Sequence, residues 1–376
     1  PLSFYHFNKV EGHTLNAGLY FNEAFSKRLN STIDFNYGFS DKLFKWGFVA
    51  DYLLGEYRTT QISVLAFDNL TPLFSESDEY GNFLSTLTSL FGHYDFRDYF
   101  YSNGFNFNIT GAVFPVLDLG IGYNNRTDKN SFVNTDFSFF KKDDFYEPSK
   151  PILESKIVTL STNFKLDFRK YIEDGYFRRR TSQGKSFFTV EGEIAFSNKS
   201  LLSSNLDFEI YKLNVFASLN SFKSTKYIVS AKGFYATDAI PFQLMNALPG
   251  NISPLGKDFT FRTVNIFSTL GDQVFTITSQ YQFNDELFKM LRIPILKDAR
   301  LKLDAHFNIA WLSISDKSKT TNTVSFNNSY SEFIKPLYEL GFGIGHQLLP
   351  LKLEFTWRLN HTNENSFVIG INSIAL

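Results

Sequence analysis

The sequence predicts an all-β chain folded as a closed transmembrane antiparallel β-barrel of about sixteen strands, and three observations lead there. Residues 351–360 read Leu-Lys-Leu-Glu-Phe-Thr-Trp-Arg-Leu-Asn, apolar at every odd position and polar or charged at every even one. Alternate side chains on a strand point to opposite faces, so one face of this segment is oily and the other charged. Arms of about this length recur along the chain with little contiguous apolar sequence, as a closed wall between lipid and a wet lumen requires. Aromatic residues make up 18% of the 376 residues (Phe 45, Tyr 19, Trp 3), which suits a lipid-facing surface with interfacial girdles.

Composition narrows the function classes. With 37 basic against 38 acidic residues, there is no bulk attraction for nucleic acid. The chain has no cysteine, which removes disulfide frameworks and thiol-based metal or redox sites. No apolar run reaches the roughly eighteen residues of a transmembrane helix. An exported barrel carries a signal peptide, and a chain that opens at Pro1 has lost one or lacks upstream residues. It closes on Leu376 without the terminal aromatic of many barrels, as a truncated chain would. Residues 1–376 read as one transmembrane barrel domain, any N-terminal periplasmic domain being absent from this chain.

The elements follow in order. Strands are predicted at 4–11, at 14–25 (Leu15, Ala17, Leu19 and Phe21 on one face), and at 29–39, where Leu29, Ile33, Phe35 and Tyr37 alternate with polar residues. The next are 43–54, with Phe44, Trp46, Phe48 and Tyr52 outward, and 57–68. A long loop, 69–103, contains Phe83, Leu84, Leu87, Leu90 and Phe91 at helical spacing, predicting a short amphipathic helix over 81–91. Strands 105–113 and 116–123 meet at Phe114-Pro115, and a second long loop covers 124–153. Strands 156–168 and 187–196 are joined through Arg178-Arg179-Arg180, either a solvated turn or a contact for a partner or lipid phosphates. Strands 206–219 and 226–236 lead to a third long loop, 237–271. Strands 274–283 and 301–313 follow, the latter with Leu301, Leu303, Phe307, Ile309 and Trp311 outward. A polar loop, 314–334, precedes a hairpin whose arms are 337–345 and 351–360, and the last strand is 366–375. With the first strand rising from the periplasm, all four long loops fall outside and the periplasmic turns are mostly short.

Three stretches resemble a known family. Phe7-Asn8-Lys9-Val10-Glu11-Gly12 is similar to the Phe-Asn-Arg-Val-Glu-Gly opening of an uncharacterised Gram-negative outer-membrane barrel family, usually preceded by a carboxypeptidase-regulatory-like domain. The middle holds Ile240-Pro241-Phe242, Leu248-Pro249-Gly250-Asn251, Phe259-Thr260-Phe261-Arg262 and Gly271-Asp272, and Ile293-Pro294-Ile295-Leu296-Lys297 resembles that family's Ile-Pro-Leu-Leu-Lys. That family looks like a distant branch of the outer-membrane assembly-factor and two-partner-secretion translocase (surface antigen) superfamily. The resemblance implies sixteen strands and a sixth extracellular loop, here 237–271, folded back into the lumen with a hydrophobe-Arg pair at its tip. Phe261-Arg262 matches that pair, although Thr263 stands where the superfamily has Gly.

The superfamily holds its Arg with acidic residues on strands twelve and thirteen. The matching positions here carry Gln280 and Asn308, with Asp304 one inward step away as a charged substitute. A guanidinium in a confined lumen needs such acceptors because it loses hydration there. The plainer reading makes Arg262 one of many charges lining a wet loop. Gly370 interrupts the last strand, consistent with the weak seam between first and last strands that the resemblance implies. Gly341, Gly343 and Gly345 share one strand face, either to let a loop approach the wall or to ease local curvature.

No catalytic motif is present, and the six histidines lie at no metal-binding spacing, so no enzyme activity, cofactor or metal is expected. The resemblance implies a bacterial outer-membrane protein that inserts, assembles or translocates outer-membrane or secreted components by lateral opening. The alternatives are a passive or ligand-uptake channel, and a barrel anchor or subunit of a larger complex. Expected partners are outer-membrane lipid and other outer-membrane or periplasmic subunits, with no nucleic acid.

Overall fold

A computed structural model describes residues 4–22, 26–140, 143–175, 177–292, 299–323, 330–362 and 365–373. The chain is all-β. Its strands are β1 (Tyr5–Asn8), β2 (Gly12–Asn22), β3 (Leu29–Gly38), β4 (Phe44–Leu54), β5 (Thr60–Pro72), β6 (Tyr99–Phe114), β7 (Leu117–Asn130) and β8 (Ser155–Asp167). A separate hairpin, β9 (Lys170–Asp174) and β10 (Phe177–Thr181), precedes β11 (Phe187–Ser197), β12 (Phe208–Asn220) and β13 (Lys226–Ala236). The connection 237–272 contains short pieces: β14 (Asn246–Ala247), β15 (Gly250–Asn251), β16 (Leu255–Gly256), β17 (Phe261–Asn265) and β18 (Leu270–Gly271). The chain then runs through β19 (Gln273–Asn284), β20 (Leu301–Ser313), β21 (Phe333–His346), β22 (Leu351–Arg358) and β23 (Phe367–Ser373). The helices are α1 (Asn82–Gly92), α2 (Lys199–Leu202), α3 (Glu286–Met290) and α4 (Asp316–Thr321).

One sheet holds seventeen strands, and all but the two-residue β16 pair antiparallel with their neighbours in chain order. The alternation explains the two surfaces. Phe105, Phe107, Ile109, Leu351, Leu353 and Trp357 are exposed on one face, while Asp304, Asn308, Glu339 and Glu354 are buried on the other. A wide exposed apolar wall with its charges turned inward inverts the usual soluble arrangement and suits contact with lipid.

Strands β5, β6 and β7 run further than the pattern predicts, so the first two long connections shrink to 73–98 and 131–154. Around Asn124–Asp128 both faces are polar and the alternation vanishes, yet the ladder continues, with Ser102 Oγ donating to Asp128 Oδ1 at 2.8 Å. The predicted strand ends at 23–25 and 374–375, the motif residues 293–297, and the termini Pro1 and Leu376 lie outside the described residues.

The expected closure of the sheet on itself is not seen as a strand ladder. Among the described residues β1 pairs only with β2, and β23 pairs with β22 and, in parallel, with β16. The physical reason is that loop elements occupy both edges. Phe7 N–H donates to Thr86 Oγ1 of α1, and Ile371 N–H donates to Pro254 O beside β16.

The opening motif makes the β1–β2 turn. Asn8 Oδ1 accepts from the N–H groups of Val10 (2.9 Å) and Glu11 (2.7 Å), and Gly12 has φ +65°. Glu11 is buried against Lys45 Nζ (2.8 Å) and His6 Nε2 (2.9 Å). Burial pushes its carboxyl up, but the His6 hydrogen bond and charge, with the Lys45 ammonium, prevail and pull it down to about 2. A lowered carboxyl stabilises the fold above its ordinary value of 4.5, and that contribution is lost as pH falls through about 2. Glu11→Gln keeps the shape and loses the charge, so it should lower stability by up to about 3 kcal/mol at pH 7. The deficit should fade between pH 4.5 and 2, as read from urea midpoints of both proteins across that window.

Candidate functional site

The site grows from the registers of β20 to β23. Asn308 lies opposite Glu339, and Glu339 opposite Arg358. The next inward row is His306, Gly341 and Thr356, and the one after it is Asp304, Gly343, Glu354 and Gly370. The two glycines let side chains of the flanking strands meet over the strand between them. His306 Nε2 lies 2.9 Å from Thr356 Oγ1 across Gly341. Strands two apart are separated by roughly 10 Å, so that contact needs the middle position empty. The glycines therefore serve neighbouring side chains, which is more specific than easing curvature.

Onto this wall comes the connection 237–272. Its family-like motifs are packing devices. Ile240, Phe242 and Leu248 are fully buried, and α4 holds the first two, with Asn322 accepting from Phe242 N–H (2.8 Å) and donating to Ile240 O (2.9 Å). Gly250 pairs in parallel with Phe261, and a Cβ there would stand 2.6 Å from Asn265 O, so only glycine allows the approach. Asp272 anchors the far end by accepting from Ser315 N–H at 2.9 Å.

β17 brings Phe261 and Arg262 to the site, Phe261 fully buried in the apolar cluster and Arg262 only 4% exposed. Arg262 Nε and Nη2 donate to the two oxygens of Glu354 at 3.2 and 3.3 Å, and Nη1 donates to Thr260 O at 2.5 Å. The backbone is held as well, since Arg262 N–H (3.1 Å) and Thr263 N–H (2.8 Å) both donate to Glu339. The Thr263 hydroxyl also donates to Glu339, and Arg358 Nε donates to that hydroxyl at 3.0 Å. This Thr, at the superfamily's Gly position, thus has partners on two strands.

The residues singled out from the sequence fall unevenly. Asn308 is adjacent but donates, to Thr260 O (3.1 Å) and Glu339 Oε2 (3.3 Å), instead of accepting from the guanidinium. Gln280 donates to Asp304 at 2.9 Å, and Asp304 in turn holds Lys352 Nζ at 2.7 Å. Neither Gln280 nor Asp304 bonds Arg262, because the loop tip lies over β21 and β22 and not over β19. Gly370 sits opposite Glu354, next to Ile371, whose N–H meets Pro254 O. Sequence reasoning missed Glu339, Glu354 and Lys352. Their inward parity on the 337–360 hairpin was the available signal.

Asp304, His306 and Glu354 offer donor atoms within 4.8 Å of one another, a spacing that a metal ion could use. Cations already fill it. Lys352 Nζ lies 2.7 Å from Asp304, 2.9 Å from Glu354 and 3.0 Å from Asp258, and Arg262 takes the other side of Glu354. The arrangement is an ion-pair network tying the connection to β20, β22 and β23, with Asn372 Nδ2 also reaching Asp258 (2.8 Å) and Glu354 (3.1 Å).

Comparison with known proteins places the chain. A model of a family of unknown function, the DUF5686 C-terminal domain, matches residues 1–319. The chain belongs to this family. No curated protein matches this DUF5686 domain in sequence. Among solved structures it is similar to BamA from Haemophilus ducreyi lacking POTRA domains 1–3, at 11% identity and a TM-score of 0.51, covering 98% of this chain and 68% of that one. CdiB from Acinetobacter baumannii (9% identity, TM-score 0.48) and CdiB from Escherichia coli (12%, 0.48) are matched over 98% and 96% of this chain. The DUF5686 domain spans 57% and 59% of those two chains. At these identities the BamA likeness is one of fold: a large antiparallel sheet of the outer-membrane barrel kind.

Proposed function

We propose that the domain is an outer-membrane barrel of the assembly-factor or translocase type, without enzymatic activity. Its sixteen chain-order strands close around a lumen, and the connection 237–272 re-enters that lumen. Lateral opening between β1 and β23 then inserts, assembles or translocates outer-membrane or secreted components. The observation that carries this reading is the buried Arg262 at the loop tip, paired with Glu354 on β22 while Glu339 on β21 takes its backbone. A loop that merely lined a wet lumen would have no reason to bury a guanidinium and desolvate two carboxylates with it. Such a fixed contact is what a loop needs in order to couple its position to the strands beside the seam.

The test is Arg262→Ala in the full-length protein. Assembly or secretion of client proteins should fall on the order of tenfold, the scale of conformational coupling energies. Wild-type assembly by a folded variant would remove the locking role. A second reading, a channel, draws on two cavities of about 640 and 680 Å³ with mixed linings, whose polar side chains include Asn106, Asn108, Lys165 and Glu191 in one and Asn16, Asp34, Asn36 and Arg97 in the other. Stable ionic conductance in planar bilayers, unchanged by Arg262→Ala, would favour it.

A further inference from the structure

The sheet's first and last edges end on loop elements of the same chain, and those elements touch each other. At the β1 edge, Phe7 N–H reaches Thr86 Oγ1 at 3.2 Å and Lys9 N–H reaches Asp95 Oδ2 at 3.0 Å. At the β23 edge, Ile371 N–H reaches Pro254 O at 2.8 Å, with Leu255 opposite Ile371 and Gly256 opposite Asn372. Tyr80, just before α1, joins the two sides. Its hydroxyl donates to Leu255 O at 2.9 Å and accepts from Ile252 N–H at 3.2 Å. Around it, Leu84 and Phe96 from the α1 side form an apolar cluster with Ile252 and Ile266 from the other. Arg97 stiffens the Tyr80 segment by donating to Tyr80 O (2.6 Å) and Asp78 (2.6 Å).

We propose that α1 and the Leu255–Gly256 strand are the two halves of a latch across the seam, joined at Tyr80. Releasing the joint frees the outer edge of β23 to pair with an extended segment of a partner polypeptide. This rests on the reading that the seam opens laterally. An edge with open N–H and C=O groups is a template for strand addition. Here a parallel segment already occupies it, so the edge accepts a strand. That occupant is only two residues long, and a longer strand making more ladder bonds outcompetes it. Burial pushes the Tyr80 phenol up to about 12, so the hydroxyl remains a donor at neutral pH.

Tyr80→Phe removes the hydroxyl and keeps the ring. In the full chain folded into lipid nanodiscs, amide exchange at Ile371 should speed up on the order of fivefold, as expected for losing the hydrogen bond to Leu255 O that supports a local closure. Val229, deep in the β13–β19 ladder, should not change. A synthetic peptide copying residues 251–257 should slow Ile371 again in this variant. Faster exchange at Ile252 with Ile371 unmoved would overturn the latch, and a peptide without effect would overturn strand acceptance. Since the chain has no cysteine, the pair Tyr80→Cys and Leu255→Cys can be joined selectively by a bifunctional thiol reagent that spans the removed phenol, which should slow Ile371 below the wild-type rate. An unchanged rate in the cross-linked protein also overturns the proposal, whether or not Tyr80→Phe folds. Arg262→Ala separates the two readings. Normal assembly in that variant with a freed Ile371 in Tyr80→Phe removes the loop lock and leaves the latch, and the opposite pair of results removes the latch alone.

Discussion

Replacing Glu354 with alanine is expected to destabilise the folded chain by about 3–5 kcal/mol. The carboxylate is fully buried and takes donors from Arg262, Lys352 and Asn372. Its removal leaves Arg262 with a carboxylate only at 3.7 Å, on Asp258, while Lys352 keeps Asp258 and Asp304. The guanidinium then keeps the Thr260 carbonyl but has no close carboxylate, and this asymmetry sets the size of the loss. Glu354→Gln keeps an acceptor and should cost less. Removing both charges with Arg262→Met and Glu354→Leu should recover most of the loss, since an apolar pair of similar volume avoids desolvating ions. Urea unfolding in lipid bilayers, followed by tryptophan fluorescence, compares wild type, Arg262→Met, Glu354→Leu and the double variant, the four points of the cycle. If Arg262→Met and Glu354→Leu prove strictly additive, the two side chains do not form the pair seen here.

Which parts of this were legible in the sequence follows from what alternation can and cannot encode. The rhythm of Leu351, Leu353 and Phe355 against Lys352, Glu354 and Thr356 states which face each residue takes, and β22 keeps that assignment. Helical spacing over 81–91 located α1 to within one residue of its observed span, Asn82–Gly92. Alternation does not say which strand lies beneath a loop tip. Arg262 and Glu354 are 92 residues apart, and their meeting depends on how far the connection 237–272 travels across the mouth of the sheet. The resemblance points for acceptors to β19 and β20, to Gln280, Asp304 and Asn308. They lie one and two strands further on, at Glu339 and Glu354. The edge caps were invisible for another reason. A two-residue strand such as β16 has no period to detect, and its pairing is parallel and comes from a loop. What did mark the connection was its motifs. Ile240-Pro241-Phe242 and Leu248-Pro249-Gly250 break the barrel rhythm because they pack a loop and do not line a wall.

Gly341→Ala is the sharpest test of the glycine row, with an expected loss of about 3 kcal/mol. A Cβ at Gly341 would stand 2.4 Å from His306 Nε2 and 2.4 Å from Phe355 O. The imidazole can turn away, forfeiting its hydrogen bond to Thr356 at about 1 kcal/mol. The Phe355 carbonyl belongs to the β21–β22 ladder, so relieving it means shifting a strand, and overpacking of that kind costs about 1–3 kcal/mol. Gly343→Ala should be milder, because its Cβ meets side-chain atoms and no strand carbonyl, Asp304 Oδ1 at 2.5 Å and Lys352 Cδ at 2.8 Å. Gly345→Ala should be nearly neutral, the nearest atom being Leu351 O at 3.2 Å. Adding His306→Ala to Gly341→Ala should recover only part of the loss, since the carbonyl clash remains. Urea midpoints of the three single variants should therefore rank Gly341 below Gly343 below Gly345. If alanine at 345 is as damaging as at 341, the glycines serve the curvature of the strand, and the meeting of His306 with Thr356 is incidental.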